Sequence, residues 1–327
     1  MHFDVFNGDA DGICALLQLR LARPQAAQLV TGIKRDIQLL DKFTVNPGDQ
    51  VTVLDISLQQ NSARLLEFLN QGAHIFYVDH HQPVDIPNHP HLTTLIDNDN
   101  ETCTSLLVNH YLNGKYPLWA VTAAFGDNLN HSAEQLAAIL KLRATELEIL
   151  KNLGIYLNYN AYGSCLADLH FAPDKLYQHM TGFESPLAFI SDTPELFMQL
   201  KQGYEEDMDY ALRLSPEYQN SAIAVFMLPD TAWARRVNGV FGNSLANLHP
   251  TRAHAVITHN QQGDYQVSVR APLLNKTGAD EVCSAFASGG GRKAAAGINH
   301  LPCAQLTVFI KKFDDFYSCT AATIKPY

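Results

Sequence analysis

The residues best suited to chemistry are acids and histidines in four short stretches. They are Asp9 and Asp11 in NGDADG, Asp55 in VLDIS, Asp79-His80-His81 in VDHH and Asp127 in FGDN. One aspartate ahead of a helix is an ordinary cap. Two of them one residue apart, wrapped in glycine and joined downstream by more acids and imidazoles, point to a cation. Carboxylate mixed with imidazole suits hard to borderline divalent ions, Mn²⁺ first, with Mg²⁺, Co²⁺ or Fe²⁺ as substitutes. Acids converging on one edge would repel one another strongly without such an ion. Asp55 taken alone could equally cap the helix that follows it.

The elements that must position these residues alternate between strand and helix. HFDVFNG reads as a strand leading into the helix GICALLQLRLA. QVTVLDIS is an apolar strand followed by the helix SARLLEFLNQG, and AHIFYVDHH is a third strand. Such alternation implies a parallel sheet with crossovers, whose ligands sit beyond the carboxyl ends of the strands. All three strands carry their acids at that end. Residues 103–112 and 117–126 read as helices, and from 131 to about 217 the pattern is nearly all helical. The acidic run Glu205-Glu206-Asp207 is expected to face solvent. Beyond it the texture turns to strands: SAIAVFMLP, HAVITHN, YQVSVRAP, ASGGGRKAAAGIN and LTVFIKKF.

At 327 residues two domains are expected, and 46% hydrophobic content supplies their cores. The predicted fold class is α/β. A parallel-sheet N-terminal domain with a helical extension spans residues 1–200, a helical linker 201–220, and a smaller α/β domain 221–327. The active site is expected in the cleft between the domains. The six cysteines are scattered without a CxxC pair, which suits reduced thiols in a cytoplasmic protein. No apolar run reaches membrane-spanning length, so no membrane partner is expected.

The formal net charge of −10 is unevenly spread. Residues 1–220 hold 13 Lys+Arg and 27 Asp+Glu, whereas residues 221–327 hold 10 and 6. A net acidic chain is poorly suited to grip long nucleic acid, because phosphate neutralisation supplies most of that affinity. A short phosphate ligand, held by a metal and a few basic residues, fits better. Arg270 in SVRAP and Arg292 in GGGRKAAAG are candidate contacts, with Lys34-Arg35 able to reach a terminal phosphate or simply to line a solvated loop. Gly289, Gly290 and Gly291 are expected to make a tight turn whose amide groups hold a phosphate or a base edge. Gly289, Gly291 and Ala294 also fit GxGxxA, but too few residues follow to complete a dinucleotide-binding unit. A second copy of the chain is left open as a partner. The remaining histidines, His2, His74, His89 and His91 among them, show no partner at ligand spacing.

Taken in order, NGDADG, VLDIS, VDHH, FGDN, SVRAP and GGGRKAAAG resemble the DHH phosphoesterases, and more narrowly the RecJ-like branch with the first type of DHH-associated C-terminal domain. That resemblance implies two Mn²⁺ ions sharing a bridging aspartate and water. By position, Asp55 would bridge, Asp9 would hold one ion, and Asp11, His80 and Asp127 the other. It implies that Asp79 orients a histidine and that His81 contacts the scissile phosphate or protonates the leaving oxygen. One position departs from the pattern. Four residues before the first aspartate the family commonly has a histidine, and this chain has Val5, leaving Asn7 or water to complete the first ion's shell. In the glycine loop Arg292 replaces the usual histidine, offering a fork to phosphate or guanine. The small relatives of this branch, the nanoRNases, cut linear dinucleotides, and some remove phosphate from 3′-phosphoadenosine 5′-phosphate. The expectation is therefore a metal-dependent phosphodiesterase acting on short linear dinucleotides such as pGpG, the linear product of cyclic di-GMP breakdown. The alternatives are a 3′-phosphoadenosine 5′-phosphate phosphatase, a short-oligonucleotide exonuclease, or a non-catalytic nucleotide sensor.

Overall fold

The computed structural model describes residues 1–81, 85–260 and 263–321. It divides into two compact units, Met1–Gly203 and Tyr204–Tyr327. The first opens with β1 (His2–Phe6), α1 (Ala10–Ala22), β2 (Gln28–Val30), β3 (Gln50–Leu54), α2 (Leu58–Asn70), β4 (His74–Asp79) and β5 (Leu92–Ile96). The sheet runs β2-β1-β3-β4-β5 with every pairing parallel. β2 and β5 are the two edges; β2 (QLV) is too short, and β5 (LTTLI) too polar at its centre, to be read from the sequence.

The central strands alternate between two buried faces, as a covered parallel sheet requires. Phe3, Val5, Val51, Val53, Ile75 and Tyr77 pack with Leu58, Leu65 and Phe68 of α2. Asp4 lies buried and pairs with Arg20 of α1. The helical extension follows as α3 (Thr104–Tyr111), α4 (Pro117–Gly126), α5 (Asn130–Ile139), α6 (Ala144–Ala161), α7 (Pro173–Met180), α8 (Pro186–Asp192) and α9 (Pro194–Leu212). Among the described residues no helix is long and apolar enough to cross a membrane. His74 and His91, read from the sequence as partnerless, stack with ring centroids 4.1 Å apart.

The second unit holds β6 (Tyr218–Gln219), β7 (Ile223–Met227), α10 (Ala232–Leu248), β8 (Ala253–His259), β9 (Tyr265–Arg270), α11 (Ala279–Ser284), β10 (Gly289–Gly291), β11 (Ala295–Leu301) and α12 (Leu306–Ala321). Its sheet runs β10-β11-β9-β8-β7-β6, with only β7–β8 parallel.

Three sequence expectations are corrected here. LTVFIKKF is not a strand but the start of α12. Phe309, Phe313 and Tyr317 recur every four residues and pack on Ile223, Val225, Val267 and Val269, a helical period that the short apolar run conceals. The glycine triplet is not the turn but the edge strand β10. The turn is Arg292–Ala295, closed by reciprocal backbone bonds of 2.8 and 3.2 Å. A Cβ at Gly289 would sit 1.8 Å from the Cys283 carbonyl oxygen, and Gly291 has φ +142°, so side chains are excluded by close approach. Finally, Asp207 does not face solvent. It is buried and takes a bidentate pair from Arg236, at 2.7 and 3.1 Å, while Glu205 and Glu206 stay exposed.

Candidate metal centre

The β1–α1 turn places the first two acids. Asp9 is the N-cap of α1, its Oδ1 accepting from the Asp11 and Gly12 amides at 3.0 Å each. A Cβ at Gly12 would lie 2.2 Å from the Asn7 carbonyl oxygen, so only glycine lets the turn close this tightly. Asp11, in the first turn of α1, reaches across to α3 and accepts from the Thr104 and Ser105 amides at 2.8 and 2.7 Å. It caps a helix that lacks a side-chain cap of its own and gains from that helix's positive end.

Asp55 does not cap the helix after it, because Ser57 holds the N-cap position. Instead Asp55 sits in the left-handed region at φ 57°, a conformation that costs energy for any residue but glycine. The Tyr77 hydroxyl secures the next carbonyl, Ile56 O, at 2.7 Å. Asp127 follows the last turn of α4, where the helix dipole disfavours an anion. Both placements are unfavourable in isolation and make sense around a positive charge.

His80 is the centre of the group. Its Nδ1 lies 2.9 Å from the Thr102 carbonyl, which fixes Nδ1 as the donor and leaves the Nε2 lone pair exposed to the acids. Nε2 is 3.2 Å from Asp55 Oδ1, 3.7 Å from Asp11 Oδ2 and 3.7 Å from Asp127 Oδ2. An imidazole that donates one nitrogen to a backbone carbonyl and turns the other toward carboxylates is the usual arrangement of a metal-bound histidine. Two sets of potential ligands lie close together: Asp11, His80 and Asp127, and Asp55, His80 and His81. Burial, reinforced by the Asp9 and Asp11 carboxylates, pushes the Asp55 carboxyl well up. Burial likewise raises Asp11, with Asp127 and Asp9 adding to it against the pull of His80. A divalent cation relieves both costs, and the residues fit one at this corner.

Asp79 serves the neighbouring histidine. Its Oδ1 meets His81 Nδ1 at 2.6 Å and accepts from the His80 amide at 2.9 Å, while Oδ2 takes the Leu58 amide at the start of α2. Burial alone would raise its carboxyl, but the His81 contact outweighs that and holds it low. His81 keeps 29% of its side chain exposed, unlike His80 at 2%, so it is the imidazole that meets the surroundings.

Lys34 is where the structure departs most from a solvated loop. Its ammonium forms an ion pair with Asp9 Oδ2, and lies 2.9 Å from Asn158 Oδ1 and 3.5 Å from Asp127 Oδ1. Burial would favour the neutral amine, but Asp9, Tyr162 and Asp127 hold it firmly protonated. Arg35, its neighbour, is half-buried. Neither Thr102 nor Asn158 stands out in the sequence. The first acts through its backbone, and the second is one polar residue in the buried stretch of α6 from Leu157 to Ala161.

The remaining candidates lie in the second unit. Arg270 directs its Nε to Asn243 at 2.6 Å and its terminal nitrogens to the Val269 and Gly239 carbonyls at 3.1 and 3.2 Å, which ties the end of β9 to α10. Arg292 is half-buried at the start of the hairpin turn, beside Gly289, Gly290 and Gly291 of β10.

No family model and no curated protein matches the sequence. Solved structures do match in shape over nearly the whole chain. The exonuclease RecJ bound to manganese superposes with a TM-score of 0.61 at 16% identity, covering 99% of this chain and 91% of that one. The chain has a RecJ-like fold. RecJ from Thermus thermophilus in complex with Mn²⁺ gives 0.61 at 16% identity, covering 97% of this chain but only 52% of that one. The pGpG-specific phosphodiesterase PggH from Vibrio cholerae gives 0.53 at 15% identity, covering 98% and 99%. At these identities the likeness concerns the fold, and the gathering of acids around His80 is read from the coordinates themselves.

Proposed function

We propose that the protein is a metal-dependent phosphodiesterase that hydrolyses short linear dinucleotides such as pGpG to mononucleotides. The observation that carries this reading is His80, whose Nε2 faces Asp11, Asp55 and Asp127 while Nδ1 is tied to Thr102. Those four side chains would hold a divalent ion, Mn²⁺ by preference. Bound there, such an ion lowers the pKa of a coordinated water and offsets phosphate charge. The chain's own residues supply the rest. Asp79 accepts from His81 Nδ1, so any proton delivered to the leaving oxygen departs from His81 Nε2. A water oxygen–phosphorus bond would form as the phosphorus–O3′ bond breaks; the 3′ oxygen takes the His81 proton, the water gives up one proton to solvent, and His81 regains one from solvent.

We assign nucleotide recognition to the second unit, through Arg292 and the backbone of Gly289 to Gly291, with Arg270 holding β9 in place. A guanidinium reads a guanine edge with two donors, which favours guanine over adenine. A pGpG-specific enzyme among the structures of the same fold accords with this choice. The test is a side-by-side assay of pGpG, pApA, 3′-phosphoadenosine 5′-phosphate and cyclic di-GMP with Mn²⁺. Fastest cleavage of pGpG supports the proposal. Faster turnover of the adenine compounds rejects the guanine preference, and binding without release of mononucleotide makes the protein a sensor.

A further inference from the structure

The DHH pattern calls for two cations, and the residues present fit only one. By the resemblance a second ion would take Asp9 together with a nitrogen ligand from position 5; the alternative, Asn7, offers a single buried amide oxygen that no protein donor meets. Position 5 is a valine, wholly buried and packed in the apolar core of the first sheet. Asp9 belongs to neither set of clustered ligands among the described residues. One of its oxygens caps α1, and the other faces Lys34.

Lys34 is built into this place. Its amide donates to the Ala161 carbonyl at 2.9 Å, fixing its backbone to the end of α6. Its ammonium stands 5.5 Å from the Tyr162 ring centroid, a cation–π distance. An ammonium has three hydrogens, and Asp9, Asn158 and Asp127 each offer an oxygen to it. It is therefore committed within the chain and is not a free hand for a substrate phosphate. A divalent ion on Asp9 would have to expel this charge from a pocket that already balances it.

We propose that the Lys34 ammonium permanently holds the place of the second cation, so that the centre binds one divalent ion, on Asp11, Asp55, His80 and Asp127. This rests on the metal-dependent reading above, and it assigns Lys34 an electrostatic role: it offsets the Asp9 and Asp127 charges but cannot coordinate a water. Lys34 is thus a positioning residue for the acid cluster.

The test is a Mn²⁺ titration of the full-length wild-type protein, read by native mass spectrometry and by electron paramagnetic resonance. One ion per chain with the six-line spectrum of an isolated Mn²⁺ is expected. Two ions with an exchange-coupled spectrum would overturn the inference, while leaving hydrolysis intact as a reading. One ion without turnover of any nucleotide keeps the inference and removes the hydrolase. No bound ion removes both. Asp9→Asn supplies a second check, since asparagine keeps the cap acceptor. It should still bind one ion, with affinity lowered by no more than about 10–100-fold, the scale of an outer-shell change. Loss of the ion in that variant makes Asp9 a ligand and overturns the inference.

Discussion

Two corners of one cluster, a few ångströms apart, solve the same problem in opposite ways. At the His80 corner, Asp11, Asp55 and Asp127 surround a lone pair, and burial outweighs the positive charge that the chain itself brings to Asp11 and Asp55. At the Asp9 corner, a lysine from the loop after β2 supplies the charge covalently attached to the chain. The first corner is incomplete until something binds, and the second is complete as folded. Buried charge is tolerated when compensated, and the source of the compensation separates a binding site from a structural one.

The largest effect should follow from breaking the incomplete corner. His80→Ala is expected to abolish Mn²⁺ binding and to lower hydrolysis on the order of 10³-fold or more, since ion binding and transition-state charge stabilisation go together. Native mass spectrometry and a mononucleotide release assay check both. If His80→Ala keeps its ion, the two corners are not distinct in the way described.

Breaking the complete corner should instead act on stability. Lys34→Met leaves the buried Asp9 carboxylate without its partner, a change that typically costs about 3–5 kcal/mol. Urea unfolding of the metal-free protein measures it. A cost below about 1 kcal/mol, the range of surface pairs, would make Lys34 an ordinary surface lysine.

The second unit offers a control for acid sensitivity that involves no candidate ligand. His254 on β8 is buried, and desolvation together with Arg252 and His249 lowers its pKa to about 4. The unfolded chain binds a proton near 6.5 and the folded unit does not until about 4. Stability is therefore full above about pH 6.5, falls as the pH drops toward 4, and is flat below, with a total of up to about 3 kcal/mol. His254→Leu should flatten this slope in thermal unfolding measured across that window. The smallest effect is expected at the hairpin: Arg292→Ala should raise KM for pGpG about tenfold, the loss of one charge-assisted contact, with kcat little changed.

The sequence disclosed the centre better than the surroundings. β1, β3 and β4 were legible because each is an apolar run ending on acid, and α3 and α4 because their periods are clear. Asp11, Asp55 and Asp127 lie within 3.7 Å of His80 Nε2, since parallel strands present their ends together, whereas Asp9 is joined to Asp127 through Lys34. LTVFIKKF misled because eight residues cannot distinguish a buried strand from the apolar stripe of a helix. GGGRK misled because glycine usually marks a turn, whereas here it admits the α11 backbone beside a strand. Lys34 was the least legible, because its meaning depends on contacts with Asp9 and Asn158 from distant parts of the chain. Val5 was a visible departure from the resembled pattern, but nothing in its neighbourhood pointed to the pairing of Asp9 with Lys34.

The central claim is tested most directly by an anomalous-scattering map from crystals soaked in Mn²⁺. The account predicts a single peak enclosed by Asp11, Asp55, His80 and Asp127, with Lys34 still against Asp9. A map with no peak among those four side chains would contradict it.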